Sequence, residues 1–153
     1  MAKEIERKFL VKDDSYKDVA SGKKHIIQGY LSTEIKATIR VRIVDDNAFL
    51  TVKGKNDGAV RDEWEYPIPV KDATEMLDRL TTGTVIEKTR YIVDYEGKRW
   101  EIDSFKSPVA GLVVAEIELT SPDERFAIPP FIGKEVTGDP AYYNSAIAGR
   151  AGQ

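Results

Sequence analysis

The sequence has no cysteine and a single histidine, His25. Disulfides, thiolate zinc sites, cysteine nucleophiles and histidine clusters are thereby excluded, so any bound metal must take oxygen ligands. No stretch approaches the roughly 18 apolar residues a membrane helix needs, and the opening Met-Ala-Lys-Glu carries no apolar leader. We therefore expect a cytoplasmic protein with no membrane contact. Glycine-rich phosphate loops are missing, which argues against the common nucleotide-binding folds and leaves any phosphate to side chains. A basic excess is missing too: the formal net charge is −3, so nothing draws the chain globally to nucleic acid.

What is present is alternation. Period-2 patterning with β-branched and aromatic content predicts strands over about 2 to 11, 24 to 31, 36 to 44, 47 to 53, 59 to 67, 86 to 95, 98 to 105 and 111 to 120. Turn signals separate them at Asp45-Asp46-Asn47, Gly54 to Gly58, Glu96-Gly97 and Ser107-Pro108, and the short spacing favours antiparallel hairpins. Helices are few. One starts at Asp13 or Asp14 and carries Tyr16 and Val19; another is capped by Asp72 and carries Met76, Leu77 and Leu80. A third opens at Asp139-Pro140, holds Tyr142, Tyr143, Ile147 and Arg150, and is expected near one barrel mouth. With 153 residues, 41% of them hydrophobic, the chain is expected to form one domain over 1–153.

Charged residues recur on one parity of strand after strand: Glu4/Glu6/Lys8, Arg40/Arg42, Glu63/Glu65, Lys88/Arg90, Glu101/Asp103 and Glu116/Glu118. The opposite parity carries Ile5, Phe9, Val41, Leu50, Trp64, Val93, Trp100, Ile102, Ile117 and Leu119. One such pair reads best as a solvated strand face, since exposed ion pairs are worth only about 0–1 kcal/mol. Six pairs on one sheet imply that the charged faces converge. The expected fold is mainly β, an eight-stranded antiparallel closed barrel with a charged lumen, an apolar outer coat and a few outer helices. Ions confined in a lumen cost several kcal/mol each unless a ligand or metal completes the balance. Carboxylates without histidine or cysteine suit hard divalent cations, and clustered Arg and Lys suit polyphosphate.

Glu4-Ile5-Glu6-Arg7-Lys8 matches the Glu-x-Glu-x-Lys signature of the CYTH superfamily, the triphosphate tunnel metalloenzymes. The companions follow in that family's order: Gln28-Gly29-Tyr30-Leu31, Arg40-Val41-Arg42, Thr51-Val52-Lys53-Gly54, Glu63-Trp64-Glu65, Lys88-Thr89-Arg90-Tyr91, Glu116-Ile117-Glu118 and Glu135-Val136-Thr137, then Tyr143-Asn144. The chain resembles that family over nearly its whole length. The resemblance implies an eight-stranded tunnel that binds triphosphate and divalent metal inside. It implies that Lys8, Arg40, Arg42, Lys53, Lys88 and Arg90 bind triphosphate, with Tyr30 a further inward candidate, and that Glu4, Glu6, Glu63, Glu65, Glu116 and Glu118 hold one or two Mg²⁺ or Mn²⁺ ions, with Asp103 a further ligand. Glu4, Glu6, Lys8 and Lys88 are the implied catalytic residues, Lys88 as an acid for the leaving oxygen.

Several activities occur in the family, and inorganic triphosphate is the expected substrate because both Trp64 and Trp100 fall on the outward parity, leaving no tryptophan platform for a base or thiamine ring. The alternatives are hydrolysis of ATP or thiamine triphosphate, adenylate cyclisation, which the short segment before Glu4 disfavours, or noncatalytic polyphosphate binding. The partner expected is a small polyanion, with the protein a monomer or homodimer. Arg61, on the face of Glu63, is expected to pair with a carboxylate near the entrance.

Overall fold

In a computed structural model, which describes residues 2–149, nine strands make one antiparallel sheet. They are β1 (Ala2–Val11), β2 (Gly22–Glu34), β3 (Ala37–Val44), β4 (Asn47–Lys53), β5 (Val60–Ile68), β6 (Thr82–Tyr95), β7 (Lys98–Ser107), β8 (Val113–Glu118) and β9 (Ile132–Glu135). The order is β5-β4-β3-β2-β6-β7-β8-β1-β9, and a further β5–β1 pairing closes eight strands into a barrel with β9 added outside the circuit. β2 and β6 run beyond their predicted ends because the ladder continues through polar residues such as Thr33 and Glu34, whose side chains carry no apolar period.

Closure rests on β1. Residues Ala2 to Ile5 pair with β5, Glu6 to Leu10 pair with β8, and Phe9 and Val11 pair with β9. Where one partner gives way to the next, the Lys8 amide donates to Thr137 Oγ1 at 2.9 Å. Arg7 faces outward and fixes β9 through Glu135, with Nε 2.7 Å from the carboxylate. Two tight hairpins use left-handed residues, Asp45 (φ 52°) between β3 and β4, and Glu96 with Gly97 (φ 48° and 77°) between β6 and β7, as two-residue loops demand.

The outward parity is the core. Phe9, Val93, Trp100, Ile102, Ala115 and Ile117 form one cluster under Tyr16, Phe131 and Ile132, so β9, the segment before it and the short helix α1 (Tyr16–Val19) cover that side. Val41 and Ala48 lie under the second helix, α2 (Val70–Arg79), through Ala73, Met76 and Leu77. Gly29 leaves room for that helix: a Cβ there would stand 2.6 Å from Thr81 Cγ2.

Three helix expectations change. Asp72 lies inside the first turn of α2, whose N-cap is Pro69 with its carbonyl accepting from the Ala73 amide. Val19 (59% exposed) and Leu80 (57%) do not join the core, being at helix ends that turn away from the sheet. The Asp139 carboxylate does cap, accepting from the Ala141 amide at 3.0 Å, but it caps a 3-10 turn over Pro140–Tyr142. Extended backbone at Tyr143 then interrupts the chain before α3 (Asn144–Ala148); Arg150 lies outside the described residues.

The inward parity is not polar throughout. Tyr30, Ile86, Phe105 and Val114 make an apolar inner cluster completed by Ile147 and Ala148 of α3. Because the outer coat is the true core, Ile117→Ala should lower the unfolding free energy by about 2–5 kcal/mol, whereas Leu80→Ala should change it by less than about 0.5 kcal/mol. Urea denaturation of the two variants checks the contrast.

Candidate active site

The strands bring the alternating charges together around a lumen cavity of about 210 Å³. Its walls include Glu4, Glu6, Lys8, Tyr30, Arg40, Arg42, Lys53, Glu63, Glu65, Arg90, Glu116 and Glu118, and the C-terminal segment adds Tyr143, Asn144 and Ser145. The expected C-terminal cover therefore supplies part of the site. Acids and bases meet across the lumen: Lys53 Nζ lies 3.0 Å from Glu4 and 3.4 Å from Glu63, and Lys8 Nζ 3.4 Å from Glu116. Arg40 reaches Glu65 at 3.5 Å, with Thr51 Oγ1 bonded to both.

The C-terminal segment is tied in by neutral groups. Asn144 Oδ1 accepts from Lys88 Nζ at 2.9 Å and from Gln28 Nε2 at 3.0 Å, and Gln28 Oε1 accepts from Arg42 Nε at 2.6 Å. Lys8 Nζ also donates to the Tyr142 carbonyl at 3.1 Å. The break at Tyr143 makes this possible, since it turns the start of α3 toward the lumen while the Tyr143 hydroxyl accepts from Asn56 Nδ2.

Confinement perturbs the ionisations. Burial, then the charges of Glu116 and Glu4, pushes Glu6 well above the usual carboxylate range. Burial and a hydrogen bond to Glu4 raise Glu63 to about 7. Glu4 itself, although burial opposes it, is held low by that hydrogen bond and by Lys53. Burial raises Glu118 too, helped by Glu4 and Glu101. Negative charge is thus crowded on the wall formed by β1, β5 and β8, which is the condition a bound cation relieves. Among the described residues no three acidic side chains already close on one point. The donor set fits a hard ion held by one or two carboxylates, with water and phosphate completing its shell.

On the opposite wall, burial and the neighbouring Arg40 and Arg90 weaken the protonation of Arg42. Arg40 Nε is a buried donor with no partner among the described residues. Arg42 has no carboxylate partner among the described residues, and neither does Arg61, which lies across on β5 beside the acidic side chains. A wall of under-compensated guanidinium groups is one that an anion completes.

A family model for the CYTH domain matches residues 2–143. The chain is 48% identical over 147 residues to an inorganic triphosphatase of Acetivibrio thermocellus, covering 96% of this chain and 94% of that protein. It is 38% identical over 152 residues to an inorganic triphosphatase of Nitrosomonas europaea, covering 95% and 96%. A crystal structure of an inorganic triphosphatase superposes with a TM-score of 0.66 at 35% identity, covering 95% of this chain and 97% of that one. The chain belongs to the CYTH family. Within this CYTH lumen the residues anticipated from sequence converge, with two displaced from the cavity itself.

Asp103, anticipated as a metal ligand, is sealed behind the wall of the CYTH barrel. Arg90 grips it with two bonds of 2.8 and 2.9 Å, and Lys88 lies 2.7 Å away. Burial alone would raise that carboxyl, but the two cations hold it well below the usual range. Both its oxygens are engaged by Arg90 and Lys88. Lys88 is likewise fully buried, away from the cavity surface, and burial lowers its ammonium to about 7 against the attraction of Asp103.

Arg61 reverses expectation in the other direction. Its Nε donates to the Gly54 carbonyl at 2.7 Å and its Nη2 to Thr38 Oγ1 at 3.0 Å, and it lines the cavity. The parity of β5 showed which face it shares, but not that its anchors would be neutral. His25 is exposed and bonded to Glu87, outside the lumen.

Removing one member of a buried ion cluster leaves the others unpaired. Asp103→Asn should therefore destabilise this CYTH barrel by about 3 kcal/mol or more at pH 7, measured by urea denaturation. The sign with pH follows from the lowered carboxyl: its contribution is present above the unfolded value near 4 and is lost as pH falls. The gap between wild type and variant should narrow in acid.

Proposed function

We propose that the chain hydrolyses inorganic triphosphate with the help of Mg²⁺ or Mn²⁺, one or two ions, releasing phosphate inside the barrel. The observation that carries the reading is the lumen itself, with crowded carboxylates on one wall facing Arg40, Arg42 and Arg90 on the other, of which Arg42 has no carboxylate partner among the described residues. The two relatives of matching length, both inorganic triphosphatases, support the same substrate. A cytoplasmic setting and a monomer or homodimer complete the proposal.

In this reading Arg40, Arg42, Lys53, Arg90 and Lys8 bind the phosphates, and Tyr30 closes the cavity beside them. Glu4, Glu6, Glu63, Glu65, Glu116 and Glu118 would hold the metal, directly or through water. When bound, such an ion lowers the pKa of a coordinated water and screens the phosphate oxygens. Lys8 and Lys53 then exchange carboxylate partners for phosphate oxygens, keeping every charge paired. Phosphoryl transfer asks for positioning and charge neutralisation more than for covalent help, which suits a wall of fixed cations.

Lys88 acts at one remove in this reading. Sealed behind the wall, its Nζ lies 2.7 Å from Asp103 and donates to Asn144 Oδ1 at 2.9 Å, so it holds the buried charges and the start of α3 in place rather than serving the leaving oxygen directly. Lys88→Met should therefore lower turnover and melting temperature together. Lost turnover at an unchanged melting temperature would restore a direct role in the chemistry.

The direct test is phosphate release from inorganic triphosphate, ATP and thiamine triphosphate side by side, each with Mg²⁺, Mn²⁺ or EDTA. Strong metal-dependent release from inorganic triphosphate is expected; no release from any of them sinks the enzyme reading. Glu4→Gln and Glu6→Gln should each lower turnover by about 100-fold or more. Calorimetry should show that both variants still bind triphosphate.

A further inference from the structure

We propose that Arg61 grips the outward terminal phosphate of the substrate, and so is the residue by which a free phosphate end is preferred to an esterified one. The inference rests on the triphosphatase reading of the lumen and adds a specificity determinant to it.

Arg61 stands where two cavities meet. Beyond the lumen lies an annex of about 430 Å³, and Thr38, Asn56, Arg61, Tyr143 and Ser145 line both spaces. The annex is otherwise walled mainly by Ile35, Pro140 and Ala146, with the exposed Lys55 at its side. A polyanion seated among Arg40, Arg42 and Lys53 thus has one end directed at Arg61. What lies past that end faces the more apolar annex.

The guanidinium is prepared for that contact. The Gly54 carbonyl and Thr38 Oγ1 hold Nε and Nη2, and the Thr38 hydroxyl in turn donates to the Glu34 carbonyl. These are neutral acceptors, so the cation is positioned without being neutralised. Nη1 has no acceptor among the described residues, and the Tyr143 ring lies 5.9 Å from the guanidinium carbon. A fixed, half-buried guanidinium loses little side-chain freedom on meeting an oxyanion.

Chemistry then separates two substrate classes. The end of an inorganic triphosphate carries one more ionisable oxygen than the same phosphate in an ester. That oxygen completes the contact with Arg61. In an ester its place is taken by a carbon substituent, which must enter the annex. Arg61 therefore strengthens binding of the free end selectively, while the annex gives an ester room at lower affinity.

The experiment is steady-state kinetics of wild type, Arg61→Gln and Arg61→Lys on inorganic triphosphate and on ATP, with melting temperatures as a check on folding. Arg61→Gln should raise KM for inorganic triphosphate by roughly 10- to 100-fold, leave its kcat nearly unchanged, and scarcely alter KM for ATP. Arg61→Lys, which keeps the charge but not the fork, should recover part of the loss. Equal losses on both substrates, or none on either, overturn the proposal. If Arg61→Gln does not fold, Thr38→Val frees Nη2 without removing the charge and should show the same selective rise in KM; an unchanged KM overturns the proposal. Should wild type turn over no triphosphate, the enzyme reading fails by itself. Arg61 is then judged by calorimetric binding of inorganic triphosphate, where equal affinity in wild type and Arg61→Gln would refute its role.

Discussion

Ions confined in a lumen are stable only in company. Each charge taken from water costs several kcal/mol, recovered only where an opposite charge or a set of hydrogen bonds meets it closely. The barrel meets this condition by placing acids and bases on strands that face one another: Lys53 between Glu4 and Glu63, Lys8 against Glu116, Arg40 against Glu65. These pairings span β1, β3, β4, β5 and β8, so the closure of the sheet through β1 and β5 and the balance of charge are one requirement. The apolar outer coat follows from it. A strand whose inner face is charged must bury its other face elsewhere, which gives α1, α2 and β9 their places.

Much of this was legible in the sequence because strand parity is a strict geometric code. Once Glu4, Glu6 and Lys8 share a face, Ile5 and Phe9 must share the other, and the same logic in seven more strands yields both lumen and coat. Parity does not report depth along the barrel axis, however. Asp103 has the parity of Glu101, yet Glu101 lines the cavity and Asp103 is locked between Lys88 and Arg90. Tyr30, Ile86 and Val114 also have inward parity and form the apolar inner cluster with α3. β9 went unseen because its four residues carry no alternating pattern of their own. The break at Tyr143 was hidden for a similar reason, since Asp139-Pro140 announces a helical turn but not how long it lasts.

The cations divide by the kind of partner they keep. Arg90 is clamped by Asp103 and approached by Glu101, so its charge is spoken for before any ligand arrives. Lys8, Lys53 and Arg40 are held by carboxylates that would themselves bind a divalent ion. Arg42 and Arg61 are held by an amide, a carbonyl and a hydroxyl, so no carboxylate among the described residues competes for them. Such a graded set suits a ligand that enters as polyanion and metal together. In the proposed reading the anion would meet these guanidinium groups, and Lys8 and Lys53 would keep a charge partner if their carboxylates turned to a metal.

The proposed exchange would account for the surplus of carboxylates on the acidic wall. If every carboxylate had its own lysine or arginine, a divalent ion would have to displace a satisfied partner and gain little. Glu6 and Glu118 are instead pushed upward by burial and by their neighbours, and Glu63 by burial and its hydrogen bond to Glu4. Burial of these carboxylates therefore opposes stability on that wall. Stability is given up there and recovered in the outer coat, where Trp100, Ile102, Ala115 and Ile117 are wholly buried. A well-packed exterior and an under-compensated interior are complementary parts of one design: the first holds the second in a shape that the substrate and its metal complete.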